Sequence, residues 1–518
     1  HIPTTPLTHF PPSKFSFSTS LPRRNVASPN HTRISKYSPL YPAYIMGAAK
    51  LITQDAFDEA VKANVDDFEM EPDEAVQAAV EEFEIQKVDL TGINKTFYAN
   101  RAVHPVVIVL KRLGGEVSAL TASATGDAAA LRTVLTNLRS LATDNSNGED
   151  FVAEALSLAG QKGAVGTLLT ALPLLDKDEA TQLECLQTLG ALLVTDPHRE
   201  SFHKNGGTAA MVGILKNAPA GGVVAATTFA TAAQACFKNE DNKASFIANG
   251  GDDALLRTFR EAGDDTPTLI AACTALRSVT VADDDRPCLT SGAFKTAREI
   301  CNKGAASELI KVLRGAVEGC AALATAACSA LRRISVTDDI CKEIADQQGV
   351  ELLLQLCENY VDSPSVTRTS LSVLRQLANS DANKNLIIRR GGLRALQRVS
   401  VGAVAGSCEQ ALGLIVGLTL RNPDGANAAV EAGCIDTIAD VMAALPGEQW
   451  VQRQGCMAVR NLVSRTPEHM TAFLAKGIEP LLRTAQTEHP MACKDVGGAA
   501  LRDLGFEDYD LGLDPNED

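Results

Sequence analysis

The sequence is poor in aromatic residues and in basic ones. Aromatics make up 4% of a chain that is 45% hydrophobic, and Trp450 is the single tryptophan. Alanine, leucine and valine must therefore fill the core, and these side chains suit close-packed helices better than sheets. Because 48 Lys and Arg face 63 Asp and Glu, the formal net charge is −15. This balance excludes a globally basic surface for phosphates, so we expect no nucleic-acid partner.

Motifs for metals, disulfides and catalysis are also missing. The 13 cysteines include no CxxC pair, and most lie in apolar stretches, which predicts reduced core thiols. His198 and His203 have no third metal ligand nearby. HExxH, Walker, GxGxxG and GxSxG motifs do not occur, so we expect no enzymatic activity, no catalytic residue, no metal and no cofactor. The longest uncharged run, 217–237, contains proline and glycine and predicts no membrane span.

Residues 1–45 show no apolar periodicity. They contain eight prolines, five basic residues and no acidic residue. Two interpretations compete: an organellar transit peptide, or upstream sequence read in frame with Met46 as the start. We favour the second and expect residues 1–45 to be a disordered extension. On this view the protein is cytoplasmic, with nuclear entry open; a genuine transit peptide would place it in a plastid.

Residues 46–115 form an acidic helical region. Phe57, Val61, Val65 and Phe68 recur at helical spacing, and Pro72 is well placed to begin a second helix. Residues 53–90 hold 13 acidic side chains and two lysines. A solvated outer face is the favoured interpretation, and a docking element for a basic partner is the alternative. Residues 86–102 are expected to be a linker.

The strongest pattern is an internal repeat. A glycine follows a large apolar residue by four or five positions and precedes an apolar helix, and this arrangement recurs eight times, at spacings of 41–53 residues. We use these glycines as anchors: Gly163, Gly207, Gly251, Gly304, Gly349, Gly392, Gly433 and Gly477. Each anchor is expected to adopt positive φ after a short helix, with two further helices following.

A period of 41–45 residues with three helices is typical of armadillo repeats. The predicted fold is all-α: an armadillo-repeat right-handed superhelical solenoid with an N-terminal helical pair. The array is expected to span 125–506 with about eight to nine repeats, and an acidic disordered tail, 507–518, follows it. One spacing of 53 residues reflects an insertion at 283–296.

Third helices line the concave face of armadillo arrays, so one position per repeat predicts side chains that face the groove. Sixteen residues before each anchor, with allowance for longer loops, this ladder gives five candidate partner-binding residues: Asn137, Arg333, Gln376, Asn461 and Asp503. The other positions hold Ala, Ser or Gly. The alternative is that each polar side chain only bonds a neighbouring helix.

Four segments resemble the armadillo repeat-containing protein 6 family. The specific one is FEMEPDEAVQAAVEEFEIQKVDLTGI at 68–93; the others are VADDDRP at 281–287, QGCMAVRNLV at 454–463 and AALRDLG at 499–505. The resemblance covers 52–506. It implies an all-helical, non-enzymatic, intracellular protein and carries over no binding residues.

The expected function is a non-enzymatic scaffold that holds a protein or peptide along the concave face. The acidic balance favours a basic partner, because like charges would slow encounter, and we expect a monomer. One alternative is a transport adaptor for basic signal peptides, as in nuclear import receptors, but their Asn ladder and Trp array are largely absent here. The other alternative is an enzyme whose site lies at the insertion 283–296.

Overall fold

The structure is a computed structural model that describes residues 50–68, 70–86, 88–90, 93, 95, 104–122, 128–287, 290–397 and 404–509. The expected extension, 1–45, lies outside the described residues, as does most of the expected tail. The chain divides into two compact units, His1–Ala99 and Asn100–Asp518. In the described part of the chain, no helix is both long and apolar enough to cross a membrane.

The first unit holds the predicted acidic helical pair. Its helices are Gln54–Phe68 and Pro72–Ile85. Phe57 is fully buried and its ring lies 5.9 Å from that of Phe83, centroid to centroid. Helices this short need such a contact, because isolated helices of this length are marginal in water.

Two details of this unit differ from expectation. Phe68 is 68% exposed, because it lies at the last position of its helix and not over the partner helix. Within the expected linker, Val88–Asp89 forms a short parallel strand pair with Lys50–Leu51. The apolar residues Val88 and Leu90 pack against the helices, which explains the pairing.

The second unit begins with two helices, Pro105–Ala122 and Ala128–Thr143, which we call the leading pair. The first of these helices begins within the expected acidic region, 46–115. In the structure, this helix packs on the array, because its apolar face must be covered.

Eight helix triplets, repeats 1 to 8, follow within the described residues. The first helices are Glu149–Gln161, Asp196–Lys204, Glu240–Ala248, Ala293–Asn302, Asp338–Asp346, Asp381–Arg389, Pro423–Glu431 and Met470–Ala475. The second helices are Ala164–Ala171, Gly207–Asn217, Gly251–Glu261, Ala305–Ala316, Gly349–Asn359, Gly392–Gln397, Cys434–Ala444 and Ile478–Glu488. The third helices are Glu179–Leu192, Val223–Cys236, Thr266–Val279, Ala321–Ile334, Pro364–Leu377, Ala405–Thr419, Gln449–Val463 and Pro490–Asp503. Short 3-10 turns lie at Asn145–Asn147, Leu172–Leu175 and Pro467–His469.

The helices stack in rows. Each third helix packs on the third helices before and after it, and the leading helix Ala128–Thr143 extends this row at its start. Second helices pack on second helices in the same way from repeat 2 onward. One apolar core therefore runs from Val106 to Leu504. A triplet that buries its surface only against its neighbours is the defining property of a solenoid, so the all-α solenoid prediction is confirmed.

The glycine turns work differently from the prediction. In repeats 2, 3, 5 and 6 the left-handed residue precedes the anchor, as with Gly206, whose φ is 71°. Gly207 then begins the second helix, and a Cβ there would lie 2.5 Å from the Phe202 ring. The two glycines of a pair therefore have different roles. The first adopts positive φ, and the second allows close packing.

Repeat 5 has no glycine at the left-handed position. Gln348 adopts φ of 67° there, directly before Gly349. A bulky residue in this region is strained, so the surrounding helices must hold it in place. The anchor position is correct, but the expectation of positive φ at the anchor is wrong for these four repeats.

The cysteines lie in the core as predicted. All 12 that the structure describes are free, and all except Cys320 are buried. Burial raises the pKa of the Cys185 thiol to about 12. Such thiols are poor nucleophiles and act as small apolar side chains.

The end of the array also differs slightly from expectation. Residues 507–509, assigned to the tail, lie against repeat 8, where Arg483 pairs with Asp508 at 2.9 Å. The Gln486 side chain also donates to the Tyr509 carbonyl at 3.3 Å.

The roles of the two glycines predict opposite effects within one helix. Gly207→Ala should lower the free energy of unfolding by about 1–3 kcal/mol, because the methyl group meets the Phe202 ring. The matched change Gly213→Ala, in the same helix but with open space around it, should raise the free energy of unfolding by about 0.5–1 kcal/mol. Urea titrations followed by circular dichroism measure both. Equal effects of the two substitutions would contradict the packing role of Gly207.

Candidate functional site

The solvent-exposed side of the row of third helices, which we call the third-helix face, has an uneven charge. In repeats 2 to 5 the third helices contain five arginines and no Asp or Glu: Arg277, Arg332, Arg333, Arg368 and Arg375. This local excess of positive charge occurs in a chain whose net charge is −15. The middle of the face, over repeats 3 to 5, therefore differs in sign from the protein as a whole.

Two depressions lie on this face and share part of their lining. One, of about 470 Å³, lies between repeats 3 and 4; the other, of about 390 Å³, reaches repeat 6. Arg277, Thr325 and Ser329 line both. The joined lining is formed mainly by small side chains and by guanidinium groups, so the surface is recessed and accessible.

Four of these arginines have no partner among the described residues. The structure has no ion pair or hydrogen bond from the side chain of any member of this arginine cluster, which is Arg277, Arg332, Arg333 and Arg368. Burial, then the neighbouring charges of Arg332 and Arg277, lowers the pKa of Arg333, with Asp283 opposing. The cluster is thus a set of like charges held close together by the fold.

Arginines elsewhere on the third-helix row are bonded to a carboxylate or to a backbone carbonyl. Arg139 in the leading pair contacts Glu184 of repeat 1 at 2.7 Å. Arg132, one helical heptad earlier, contacts Asp178 at 3.3 Å. The unpaired cluster is therefore a property of the middle of the array and not of the whole row.

Glycines on the next helix make room for two of the arginines. A Cβ at Gly406 would lie 3.0 Å from Cδ of Arg368, and one at Gly413 would lie 2.7 Å from the Arg375 guanidinium. Both the arginines and the glycines are seven residues apart, which places each pair on one helix face. Arg375 also lies 3.8 Å from Glu409, so it is partly neutralised.

The five ladder residues have different surroundings. Arg333 lines the second depression. Asn137 is exposed on the leading pair. The amides of Gln376 and Asn461 each donate to the preceding third helix, to the carbonyls of Ser335 at 2.9 Å and Val416 at 3.1 Å.

Asp503 is held by two arginines. Its carboxylate lies 2.8 Å from Arg502 and 3.6 Å from Arg460 of repeat 7. Like Gln376 and Asn461, it ties neighbouring third helices together, as the alternative interpretation expects. A role in partner binding stays a prediction for all five residues.

Residues 49–105 match the family model of the armadillo repeat-containing protein 6 N-terminal domain. Armadillo repeat-containing protein 6 from Pongo abelii and from Homo sapiens are each 29% identical over 73% of this chain and 75% of theirs. The homologue from Drosophila melanogaster is 27% identical over 66% of this chain and 71% of its own.

The chain has an armadillo-type helical solenoid fold. Its resemblance to armadillo repeat-containing protein 6, inferred from 68–93 and three further segments, is confirmed. Among solved structures, an engineered protein superposes with a TM-score of 0.62 at 19% identity, covering 88% of this chain and 99% of the other. A structure from work on a phosphorylation switch in the interaction between cadherin and beta-catenin gives 0.50 at 16%, covering 71% and 69%. These two likenesses concern the fold alone.

The armadillo ladder missed most of the arginine cluster. One position per repeat selects a single line of side chains, and Arg277 and Arg332 each lie one residue before that line. Arg368 lies two turns before it. A count of charges on each third helix was the available signal, since five arginines without an acid stand out in an acidic chain.

The start of the insertion, 283–286, is held by ion pairs and hydrogen bonds to repeat 3. Buried Lys243 contacts Asp283 and lies 2.8 Å from Glu240, and Asp284 accepts the backbone N–H of Glu240 at 2.8 Å. Arg286 lies 2.7 Å from Asp284. We call these contacts the insertion clasp. They give Asp283 and Asp284 partners of opposite charge and attach the insertion to the first helix of repeat 3. Among the residues that the structure describes, no group of three or more His, Cys, Asp or Glu side chains is arranged to hold a metal ion.

The clasp predicts a stability difference between neighbouring carboxylates. The hydrogen bond from Arg286 is the main cause that holds the pKa of Asp284 well below its usual value, against the effect of burial. Asp284→Asn should lower the free energy of unfolding at pH 7 by about 1–3 kcal/mol. Asp285→Asn, at an 81% exposed side chain, should change it by less than about 1 kcal/mol.

The lowered pKa of Asp284 also predicts how the stability of the fold depends on pH. A carboxyl with a lowered folded-state pKa stabilises the fold above its unfolded pKa, near 4, and loses this contribution as the pH falls further. The gap between the thermal midpoints of wild type and Asp284→Asn should therefore be constant from pH 7 to about pH 5 and narrow steadily from there to pH 2. A constant gap over the whole range would contradict the assigned role.

The cross-helix amide of Gln376 predicts a structural effect. Gln376→Ala should lower the free energy of unfolding by about 1 kcal/mol, because the bond to the Ser335 carbonyl is lost. Asn137→Ala, at an exposed helical position, should leave it unchanged or slightly raised. Urea titration compares the two, and an equal loss in both would contradict the tie.

Proposed function

We propose that this protein is a non-enzymatic interaction scaffold that binds an extended segment of a partner protein along its third-helix face. The supporting observation is the pair of joined depressions across repeats 3 to 6, lined in part by Thr274, Thr325 and Ser329. Small side chains leave room for a second chain. A surface that is already formed needs little ordering on binding, which favours affinity.

The helix row suits an extended segment. Successive packed helices lie about 8–10 Å apart, so repeats 3 to 5 span about 20 Å, which about six extended residues cover. The Ser329 and Thr325 hydroxyls donate to their own helix carbonyls. Their oxygen lone pairs stay available to backbone N–H groups of the segment.

A transport adaptor for basic signal peptides fits this face less well. Such adaptors use free amides and tryptophans, whereas Gln376 and Asn461 donate their amides to neighbouring helices. The five arginines of repeats 3 to 5 would repel lysine and arginine side chains.

A steric block tests the scaffold proposal. Thr274→Trp combined with Ser329→Trp fills both depressions without a change in charge. The matched control is Ala209→Trp with Thr484→Trp, at exposed positions on second helices. Proteins that co-purify with the tagged full chain are quantified by mass spectrometry, and thermal midpoints check that each variant folds.

The expected result is loss of the main partner, by about tenfold or more, from the third-helix variant only. Because Ser329 is half-buried, Ser329→Trp could lower the thermal midpoint of the double variant. The single variant Thr274→Trp, at an exposed side chain, is the control for this loss of stability. Partners that stay with the third-helix variants and leave the control would assign binding to the second-helix surface and contradict the proposal.

A further inference from the structure

Within the proposed function, we infer that the arginine cluster of repeats 3 to 5 binds a segment rich in Asp and Glu from the partner protein. This assignment is opposite in sign to the basic partner expected from net charge. It rests on the scaffold proposal for the site and on the local charge of the third-helix face for the chemistry.

Three arginines of the cluster lack a counter-charge among the residues that the structure describes. The chain has 15 more acidic than basic side chains, so carboxylates are plentiful. Arg139 has one on the neighbouring third helix, Glu184, and Arg132 has one at the N-cap of that helix, Asp178. Arg277, Arg332 and Arg368 have none among the described residues, so their positive charge is available to a ligand.

The surroundings of the cluster do not supply a free carboxylate among the described residues. Two carboxylates lie near its edge, and both are engaged. Glu409 faces Arg375 at 3.8 Å and accepts the Gln410 amide at 3.3 Å. Asp283 is bound by Lys243 in the insertion clasp. The potential over the depressions is therefore positive, and the low-dielectric walls of a recess strengthen it.

The guanidinium groups of the cluster have the geometry to bind carboxylates. Guanidinium groups present planar forks that match carboxylates in two hydrogen bonds. Arg277, Arg332 and Arg368 come from three successive third helices, so they lie along the direction of the row. Glycine at 406 leaves room for the Arg368 stem, which sets that side chain against the next helix. A segment with acidic residues at every second or third position meets several forks.

A partner protein explains these features better than a nucleic acid does. A polyphosphate long enough for stable binding extends past the cluster onto a chain whose net charge is −15. A short acidic segment needs only the cluster. The docking segment is thus a run of carboxylates of about six to eight residues, with hydroxyl contacts between them.

Fluorescence anisotropy on the full chain tests the inference. The probe is a fluorescein-labelled peptide of three Glu-Ser-Asp-Gly repeats. Gln-Ser-Asn-Gly and Lys-Ser-Arg-Gly repeats serve as neutral and basic comparisons, and a 12-nucleotide oligothymidine serves as the phosphate comparison. The test variant is Arg332→Glu with Arg333→Glu. The matched control is Lys342→Glu with Arg389→Glu, an equal change of charge at exposed positions on first helices.

The expected result is binding of the acidic peptide to wild type, weakened about tenfold or more in the test variant and less than about threefold in the control. Because Arg333 is half-buried, Arg277→Gln with Arg368→Gln provides a second variant at exposed side chains, with the same direction of effect. Raising the salt to ~0.3 M should weaken wild-type binding toward that of the variants.

Several outcomes would overturn the inference: no binding of the acidic peptide to wild type, equal binding of the neutral or basic peptide, equal loss in the matched control, or tighter binding of the oligothymidine. The proposed function is judged separately by the tryptophan variants. If they lose the natural partner while the acidic peptide fails to bind, the scaffold proposal stands and the acidic segment is rejected. If the partner is unaffected by the tryptophans, both fall.

Discussion

Packing of each third helix on the next is the interaction on which the rest of the structure depends. A single triplet leaves one side of its apolar surface open, and only the neighbouring repeat covers it. Small buried side chains such as Ala272, Ala327 and Cys328 let these helices approach closely. Side-chain amides and hydroxyls then donate hydrogen bonds to carbonyls of the preceding third helix. For example, the Thr231 hydroxyl donates to the Leu186 carbonyl at 3.1 Å. The result is a row of helices whose exposed side has a fixed spacing.

Because the spacing of the third helices is fixed, the charged side chains on them keep their positions relative to one another. The same row that pairs Arg139 with Glu184 holds Arg332 and Arg333, whose side chains form no ion pair with any residue that the structure describes. Side chains on flexible segments would find counter-charges in an acidic chain, whereas helices locked by their neighbours do not rearrange for a modest Coulomb gain. Net charge describes encounter at long range, and the third-helix face sets which charge is accepted at short range.

Much of the fold was predictable from sequence because each repeat contains residues that mark where its helices begin and end. Glycines mark the turn between first and second helices, and apolar periodicity marks the core. The finer roles were not predictable, since Gly206 and Gly207 differ by one position and only the Phe202 contact separates them. Of the ladder residues, Arg333 lines a depression while Gln376 bonds a neighbouring helix. The ladder predicts where a side chain lies along the row of third helices. Hydrogen bonds between neighbouring helices determine whether that side chain is available to a partner.

The most direct measurement of the central claim is arginine reactivity in the free protein. Phenylglyoxal modification, followed residue by residue with mass spectrometry, compares Arg277, Arg332 and Arg368 with Arg139, which is 37% exposed but bonded to Glu184. If the third-helix face holds unpaired guanidinium groups, the first three react several-fold faster than Arg139. Reaction of all three at the rate of Arg139 or slower would mean that the cluster is covered or neutralised, and it would contradict the account.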